Sequence, residues 1–407
     1  MKIIFKLAWR NLWRNRRRTF ITISSILFAV LLAIVFFAIE SGTYERMIDT
    51  MVRYSTGYIQ IQDVLYEEEP SIDNTLVFDE EIREVLHKLE DRIDYYVPRL
   101  QNFSLVSAET LARGAMITGI DTEYEFRLND LREDLTEGRF FERGEEGIVI
   151  AQGLAEILGV SAGDTLVLLG QGFHGSTAAG LHPIVGIVDL RIPDLNNNMI
   201  YMPLEAAQWL FMAENRLSAL IVMPDDPRQT DQLAEALRQN LDDEWHRVLT
   251  WETMLEDLLR LMEFDMAGTM VMLFILYVVI AFGLFGTILT MMIERQREFA
   301  LLFSLGMKRS RLALMCFMEA IILTIAGVLA GIAAAIPVIT WFHYNPIRVS
   351  GRMADALMDY GFEPIMPVST DPQVFYQQAL IVLLIAFFIG MYPVYKVFRI
   401  NIMQAKK

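Results

Sequence analysis

Apolar residues along this chain gather into four long runs that are separated by charged or mixed segments. The runs cover residues 19–40, 266–293, 312–341 and 374–395. Each reaches the length of about 20 residues that a helix needs to cross the hydrocarbon core of a bilayer. Charge is almost absent inside them, with Glu319 as the clear exception. The pattern predicts four transmembrane helices.

The first run follows basic residues and therefore invites a second interpretation, a cleaved signal peptide. Its apolar stretch is longer than the 7–15 residues expected of a signal sequence. No convincing small-x-small cleavage site follows it. We therefore expect an uncleaved membrane anchor.

Lys and Arg residues are concentrated beside the apolar runs, which predicts the orientation of the chain. They cluster in residues 1–18, 294–311 and 396–407. Basic segments next to membrane spans stay in the cytoplasm. We therefore expect a multi-span membrane protein with both termini cytoplasmic, and with residues 41–265 and 342–373 facing outward.

Residues 1–18 also carry a helical pattern of their own. The apolar side chains of Phe5, Ala8, Trp9, Leu12 and Trp13 fall on one face, and the basic ones fall on another. This arrangement is typical of a helix that lies in the membrane interface and contacts lipid. The alternative is a simple basic flank of the first span.

The long segment 41–265 alternates between short strand-like and short helix-like patterns, which is typical of a mixed α/β domain. Strands are predicted at Tyr58–Gln62, Ala115–Ile120, Gly147–Ile150, Thr165–Leu169, Ile184–Val188, Met199–Met202 and Ala219–Met223. Helices are predicted at Glu80–Leu89, Leu154–Leu158, Leu204–Phe211 and Asp231–Asn240. We expect two α/β lobes, joined to the membrane by helical stalks through Ser41–Tyr54 and from Thr253 onward.

The predicted fold class is therefore an α-helical membrane domain of four transmembrane helices plus a large mixed α/β extracytoplasmic domain between helices 1 and 2. The net charge of −16 belongs mainly to the outward domain. Basic residues instead flank the spans, so nucleic acid is not an expected partner. The single cysteine, Cys316, lies in a predicted span, so the outward domain must be stabilised by core packing without disulfides.

Two motifs of nucleotide-binding proteins can be tested directly on the sequence. No lysine is preceded by Gly and followed by Ser or Thr, so a Walker A loop is absent. Gly170, Gly172 and Gly175 form a G-x-G-x-x-G pattern, but too few residues follow for the helix that a dinucleotide site needs. We predict a hairpin-like loop there, and we expect no cofactor bound by this chain.

The same loop contains His174, Ser176 and His182, which raises the possibility of a metal site or a hydrolase. No further ligand pair has metal-binding spacing with them, and no G-x-S-x-G motif is present. We interpret the two histidines as surface-loop residues.

Glu319 allows two interpretations that the sequence leaves open. An ionisable residue inside a membrane span is a functional candidate by default. It is equally consistent with a hydrogen bond between packed helices near the cytoplasmic interface. Gly327 and Gly331 in the same run form a G-x-x-x-G motif, which indicates close approach of another helix.

The segment 294–311, ERQREFALLFSLGMKRSR, connects the second and third runs. Acidic residues near its start and basic ones near its end suit the dipole of a helix, and Gly306 is well placed to end that helix. Phe299, Leu302 and Phe303 share one face, with Leu301 and Leu305 beside it. A solvated turn would not need these five large apolar residues, so we predict a helix that inserts into a groove of a partner.

Several stretches resemble one protein family. The segment 294–311 resembles the cytoplasmic loop of the FtsX-like permeases of ABC transporters, the group that contains MacB and LolC/LolE. LAWRNLWRNRRRTFIT and YPVYKVFRINIMQA resemble the opening and closing membrane segments of that family. EGRFFERGEEGIVIAQGLAEILGVSAGDTLVLL, HPIVGIVD and NNNMIYMPLEAAQWL are similar to its periplasmic core domain.

The resemblance implies a pair of permeases, identical or sister subunits, that bind a cytoplasmic ABC ATPase dimer, with ATP and Mg reaching the complex through that partner. It implies that 294–311 is a coupling helix, and that motion rather than a channel links ATP to the outward domain. Lipoprotein, lipid, peptide or drug would be the substrate, with a periplasmic adaptor or lipoprotein as a further partner. The expected coupling residues are Glu294, Arg295, Arg297, Glu298, Phe299, Leu301, Leu302, Leu305, Gly306, Met307 and Lys308.

Two other functions are retained as alternatives. A non-transporting signalling or regulatory protein would use the outward domain to bind a ligand or a cell-wall hydrolase. A membrane-anchored enzyme would depend on His174, Ser176 and His182. The family resemblance favours a transporter subunit that is not itself an enzyme.

Overall fold

Long apolar helices and a mixed sheet with short helices make up the fold. The computed structural model describes residues 2–14, 16–108, 111–190, 192–304, 306–352, 354, 357 and 364–399. The α-helices in this part of the chain are α1 (Lys2–Arg14), α2 (Arg16–Met51), α3 (Glu80–Lys88), α4 (Thr122–Leu128), α5 (Gln152–Leu158), α6 (Pro193–Asn198), α7 (Leu204–Leu210), α8 (Thr230–Asn240), α9 (Trp251–Met254), α10 (Glu256–Glu294), α11 (Gln296–Ser304), α12 (Arg309–Tyr344) and α13 (Pro372–Arg399).

Within the described residues, four helices are long and apolar enough to cross a membrane, judged by length and composition. They are α2, α10, α12 and α13, which confirms the four predicted apolar spans. As predicted, α2 continues well past the apolar run, and a π-helix at Val52–Thr56 follows it. The second stalk begins slightly later than predicted, because α9 ends at Met254 and α10 starts at Glu256.

The chain divides into two units. A helical unit comprises Met1–Arg46, Arg260–Arg348 and Met366–Lys407, and an α/β unit comprises Met47–Leu259 and Val349–Ile365. The core of the helical unit is built from buried aliphatic side chains of its long helices. They include Ile26, Val30 and Ile34 of α2, Ile280 and Leu284 of α10, Val328 and Ala335 of α12, and Val382 and Ala386 of α13.

Two glycines allow α12 to approach α2 closely. A Cβ atom added to Gly327 would lie 2.6 Å from Ile26 Cβ, and one added to Gly331 would lie 2.8 Å from Val30 Cβ. Carbon atoms cannot approach so closely without a shift of the helices. The G-x-x-x-G motif is therefore a helix contact, as the sequence indicates.

The strands of the α/β unit and of the short loop after α12 follow in chain order. They are β1 (Ile59–Asp63), β2 (Leu76–Val77), β3 (Ile93–Ala108), β4 (Leu111–Ile120), β5 (Leu135–Gly138), β6 (Ile148–Ala151), β7 (Thr165–Gln171), β8 (Thr177–Val188), β9 (Met199–Pro203), β10 (Arg216–Leu217), β11 (Ala219–Pro224), β12 (His246–Thr250), β13 (Ile347–Arg348) and β14 (Ile365–Met366). Each of the seven predicted strands is present, several of them longer than predicted.

One continuous sheet replaces the two predicted lobes. Ten of the described strands join in the order β12-β1-β11-β3-β4-β9-β6-β8-β5, with β7 pairing with β3 and β8. The prediction of two lobes was wrong for the sheet, because the unpredicted strand β3 pairs with β11, β4 and β7 and connects both halves. The two largest of its buried hydrophobic clusters nevertheless remain separate, one under α5 and α7 and one under α3 and α8.

A buried ion pair connects the sheet to the π-helix that follows α2. Arg99 of β3 donates from Nε to Glu125 Oε2 of α4 at 2.9 Å, and from Nη1 to the Ser55 carbonyl oxygen at 3.0 Å. The side chains of Arg99 and Glu125 are 5% and 1% exposed. Buried charges are stable only when they are paired and hydrogen-bonded, so this contact fixes the π-helix to β3.

Candidate functional site

The segment between α10 and α12 forms a short capped helix, as predicted. Gly306 has φ +86°, a left-handed conformation that glycine adopts without steric cost. The Met307 N–H donates to the Leu302 carbonyl oxygen at 3.0 Å. This bond spans the end of α11 in the pattern of a Schellman motif, which satisfies a carbonyl that the helix would otherwise leave free. The turn is therefore sharp, and α12 begins at Arg309.

The apolar side chains of α11 divide between the interior and the surface. Phe299 is fully buried and packs with Met292 of α10, with residues at the start of α12 and with Val397 of α13. Leu302 is partly buried against the same cluster. Leu301 is 62% exposed. Phe299 therefore anchors α11 from within the helical unit, while Leu301 lies on its exposed side; the side chain of Phe303 lies outside the described residues.

The other predicted coupling residues lie around this helix. Gly306 and Lys308 are exposed, and Met307 is half-buried against the Phe299 cluster. Leu305 and the side chain of Arg297 lie outside the described residues. The described part of the segment thus presents Leu301, Gly306 and Lys308 on its exposed side.

A buried polar contact lies directly behind α11. Glu319 of α12 has no exposed surface, and its carboxylate accepts from Arg295 Nη1 at 2.9 and 3.0 Å and from Asn11 Nδ2 at 2.7 Å. Arg295 also donates from Nε to Glu298 Oε2 at 3.1 Å. The contact joins α1, the turn between α10 and α11, and α12. It supports the interpretation of Glu319 as a residue that holds packed helices together.

The acidic residues of this segment pair with the basic residues near the N-terminus. Arg14 of α1 forms an ion pair with Glu298, and Arg18 of α2 forms one with Glu294. Hydrogen bonding from Arg14 holds the pKa of the Glu298 carboxyl below its usual range. Both pairs are partly exposed, so each contributes little stability alone. Together with the buried contact they connect α11 to α1 and the end of α10 to α2.

These charged side chains surround a cavity of about 240 Å³. Asn11, Arg18, Glu294, Arg295 and Glu319 contribute to its wall. Donors and acceptors are paired with one another across the helices, which is the arrangement of a structural joint. The site can hold the ends of several helices in a fixed register.

Sequence reasoning missed the N-terminal half of this joint. Asn11 and Glu319 are separated by 308 positions, and Arg14 and Glu298 by 284. A signal was present, because a carboxylate inside a membrane span requires a partner and the basic N-terminus supplies cations. On the sequence alone, membrane orientation and the polar face of an interfacial helix already account for those cations.

The hairpin that contains the histidines places them in different surroundings. The G-x-G-x-x-G pattern lies in the turn of an antiparallel β7–β8 hairpin, which confirms that prediction. The interpretation of both histidines as surface-loop residues was wrong for His182. It lies buried in β8, where alternation directs it inward, and its Nδ1 is 3.0 Å from the Glu146 carbonyl oxygen.

His174 and Ser176 have surroundings that differ from those of His182. His174 is exposed, and its backbone N–H donates to Asp73 Oδ1 at 2.5 Å. None of the hydrogen bonds described for this hairpin joins His174, Ser176 and His182 to one another. Within the described part of the chain, no group of three or more His, Cys, Asp or Glu residues is placed to hold a metal ion.

Two family models match this chain over nearly its whole length. Residues 19–240 match the MacB-like periplasmic core domain, and residues 270–402 match the C-terminal domain of FtsX-like permeases. The segment that contains α11 lies within the second match.

The chain is also similar to proteins of known name. The lipoprotein-releasing system transmembrane protein LolC of Neisseria meningitidis serogroup B is 23% identical over 276 residues, which span 65% of this chain and 65% of that protein. The periplasmic region of MacB from Actinobacillus actinomycetemcomitans is 14% identical, with a TM-score of 0.36 over 51% of this chain and 95% of that one. The extracellular domain of the noncanonic ABC-type transporter YknZ from Gram-positive bacteria is 16% identical, with a TM-score of 0.35 over 48% of this chain and all of that one.

The two family matches correspond to the two kinds of structure in this chain. The periplasmic core model covers most of the mixed α/β unit, and the permease model covers three of the four long apolar helices. The first match alone covers more than half of the chain. This protein therefore belongs to the FtsX-like permease family of ABC transporters and carries a MacB-like periplasmic core domain.

Proposed function

We propose that this chain is the transmembrane permease subunit of an ABC transporter and that it transmits ATP-driven motion of a separate ATPase dimer to its α/β unit. Membership of an ABC permease family implies an ATPase partner. The observation that carries the proposal is α11, a short helix anchored inside by Phe299 and exposed at Leu301. A helix held in this way can receive a force without detaching from its own unit.

The docking surface on the ATPase side would be centred on Leu301. An exposed leucine flanked by polar groups suits insertion into a groove of a partner. Ser304, Gly306 and Lys308 are exposed beside it. Phe299 and Leu302, which pack against the interior of the helical unit, would support this surface from the opposite side of α11.

The proposed transmission path runs through the helices on either side of α11. Movement of α11 would displace the end of α10 and the start of α12 together, because Arg295 bonds to Glu319 and the Gly306 turn is tightly closed. Both α2 and α10 contribute residues to the helical unit and to the α/β unit. These two helices are the continuous connections along which displacement would pass.

The proposal includes an orientation. We place the chain in the bacterial inner membrane with both termini and α11 in the cytoplasm and the α/β unit in the periplasm, in agreement with the basic residues beside the spans. ATP and Mg would be bound by the partner ATPase. A second permease, identical or a sister subunit, would complete the complex.

Substrates that leave the membrane or the periplasm fit this mechanism, because no ATP-driven channel through the spans is required. Lipoprotein, lipid, peptide and drug are the classes we propose. The name of the Neisseria relative places that protein in lipoprotein release. A lipoprotein or a periplasmic adaptor is accordingly the further partner we expect.

The test is purification of the tagged full chain from membranes of its native host. An ABC ATPase should co-purify, and Leu301→Asp should reduce its recovery roughly tenfold, as expected for loss of a central interface contact. Gly306→Pro should have a similar effect, because proline cannot adopt the left-handed turn. Mass spectrometry and ATP hydrolysis by the purified complex report the result.

Leu65→Asp is the matched control. Leu65 is 56% exposed and Leu301 is 62% exposed, and Leu65 lies in the α/β unit. This control should retain the ATPase. Absence of any ATPase from the wild-type preparation, or unchanged ATPase recovery and transport in both α11 variants, would contradict the proposed function.

A further inference from the structure

The α/β unit contains a cavity of about 340 Å³ beside its two largest hydrophobic clusters. One wall comes from α3 and the region of β2, and the other comes from the ends of β4 and β9 with α7. Leu204, at the start of α7, packs against both clusters and forms part of the floor. Ligand sites are commonly clefts of this size between packed substructures.

Four aromatic rings form part of the lining of this cavity. Phe78, Tyr96, Tyr124 and Phe141 all contribute to it. The rings of Tyr96 and Tyr124 are stacked, with centroids 5.4 Å apart and an angle of 18° between their planes. A stacked pair presents flat apolar surface on which another ring can pack.

A cation lies beside these rings. The Arg83 guanidinium carbon is 4.7 Å from the centre of the Phe78 ring, and its ion pair with Glu80 is long, at 3.8 Å. The other charged groups of the cavity are more closely engaged. Arg143 is 3.2 Å from Glu205, and Asp121 accepts from the Glu123 N–H at 3.0 Å. Arg83 is therefore the group best placed to bind an added anion.

A second cavity of about 430 Å³ shares Arg83, Tyr96 and Tyr124 with the first. The shared residues form the border between the two spaces. A ligand held at this border could extend from one cavity into the other. A peptide end would have room for more than one residue.

The wall of the first cavity is also connected to the chain segment after α2. Tyr124 is adjacent to Glu125, which forms the buried ion pair with Arg99. Arg99 in turn holds the Ser55 carbonyl of the π-helix. A ligand that packs on Tyr124 therefore contacts α4, which is connected to the π-helix through Glu125 and Arg99.

We propose that this cavity binds an aromatic carboxylate, either as a free small molecule or as the C-terminal residue of a peptide. The ring packs against Tyr96 and Tyr124, and the carboxylate pairs with Arg83. Guanidinium and carboxylate groups match in geometry and charge, which accounts for the preference for an acid over its amide. This inference concerns the α/β unit and holds whether or not α11 binds an ATPase.

The test is saturation-transfer difference NMR on the full chain in lipid nanodiscs, without ATPase or nucleotide. The probes are N-acetyl-L-tryptophan, its neutral amide, and the peptide acetyl-Gly-Gly-Gly-Trp with a free carboxylate. Arg83→Gln should weaken binding of N-acetyl-L-tryptophan roughly tenfold and that of the amide much less. Tyr124→Leu should weaken both by a similar factor, because both probes carry the ring.

Arg247→Gln is the matched control, since Arg247 is an exposed arginine of the same unit that pairs with Glu67 at 3.4 Å and lines neither cavity. It should bind the probes like the wild type. Tighter binding of the peptide than of N-acetyl-L-tryptophan would support the site with a peptide end as ligand, and equal binding would support it with a free carboxylate. No saturable binding to the wild type, or equal affinity for acid and amide that Arg83→Gln leaves unchanged, would overturn the proposal.

Discussion

The buried ion pair of Arg295 with Glu319 lies where α1, α12 and the junction of α10 with α11 meet. The Arg295 side chain is 13% exposed and Glu319 is completely buried. Removing two charges from water is costly, and their attraction offsets that cost only while both partners are present. The intact pair therefore adds little net stability, but removal of one partner alone strongly destabilises the protein.

We expect Glu319→Ala to destabilise the protein by about 3 kcal/mol or more, because Arg295 is left as a buried unpaired cation. The double variant Arg295→Met/Glu319→Leu should be closer to the wild type than Glu319→Ala, since no buried charge remains. Thermal unfolding of the purified protein in detergent measures both.

Asp94→Ala is the control for this comparison. It removes the ion pair between Asp94 and Arg127, two side chains that are each about half exposed. This loss should change the unfolding temperature little. A double variant that is less stable than Glu319→Ala would show that the charges themselves stabilise the helix contact.

At the scale of elements, the contact between α12 and α2 is set by the absence of two side chains. Gly327 and Gly331 allow the backbones to approach, and Ile26 and Val30 fill the space above them. Dispersion contacts of this kind drive helix association in a bilayer, where the hydrophobic effect between helices is absent.

Gly327→Val should separate α12 from α2 and destabilise the helical unit by about 1–3 kcal/mol, the usual cost of overpacking. Thermal unfolding in lipid nanodiscs measures this loss. Gly286→Val is the matched control, because no atom lies within 4 Å of a Cβ at Gly286 in α10. An equal loss in both variants would indicate a general effect of valine in a helix instead of a packing contact.

Strand β3 is an element that local sequence patterns did not predict. Its sequence contains Pro98 and Asn102 and lacks a clean alternation of apolar residues. Pro98 lies opposite Leu220 of β11, at a position where β3 is not yet paired with β4, because that pairing starts at Arg99. A proline, which has no N–H to donate, suits a position with one unpaired edge. Neighbouring strands, and not local propensity, decide that these residues are extended.

At the scale of the whole molecule, the proposed topology places α11 and the α/β unit on opposite sides of the membrane. The chain offers a simple test, because its single cysteine, Cys316, is buried. In a Cys316→Ser background, Ser161→Cys should react with a membrane-impermeant maleimide in intact spheroplasts. Ser304→Cys should react only after the membrane is permeabilised.

Both serines are exposed in the structure, so access and not burial determines the labelling. Labelling of Ser304→Cys in intact spheroplasts, with Ser161→Cys protected, would reverse the proposed orientation. It would leave the family assignment unchanged.

The parts of the molecule that sequence could predict are those encoded by neighbouring residues. Span length, the end of α11 at Gly306 and the G-x-x-x-G contact all depend on short-range patterns. The joint of Asn11, Arg295 and Glu319 could not be predicted, because its partners come from three distant segments and each has a local explanation. Long-range pairing becomes visible only when the helices are packed.

The buried Arg99 has a mechanical consequence for the α/β unit. Its guanidinium is shared between the Glu125 carboxylate and the Ser55 carbonyl, so slippage of the π-helix along β3 would remove a hydrogen bond from a buried cation. Residues 52–56 and β3 consequently move as one body. A force on this short helix is therefore transmitted to β3, the strand that connects both halves of the sheet. Any bending between α2 and the sheet must take place outside residues 52–56.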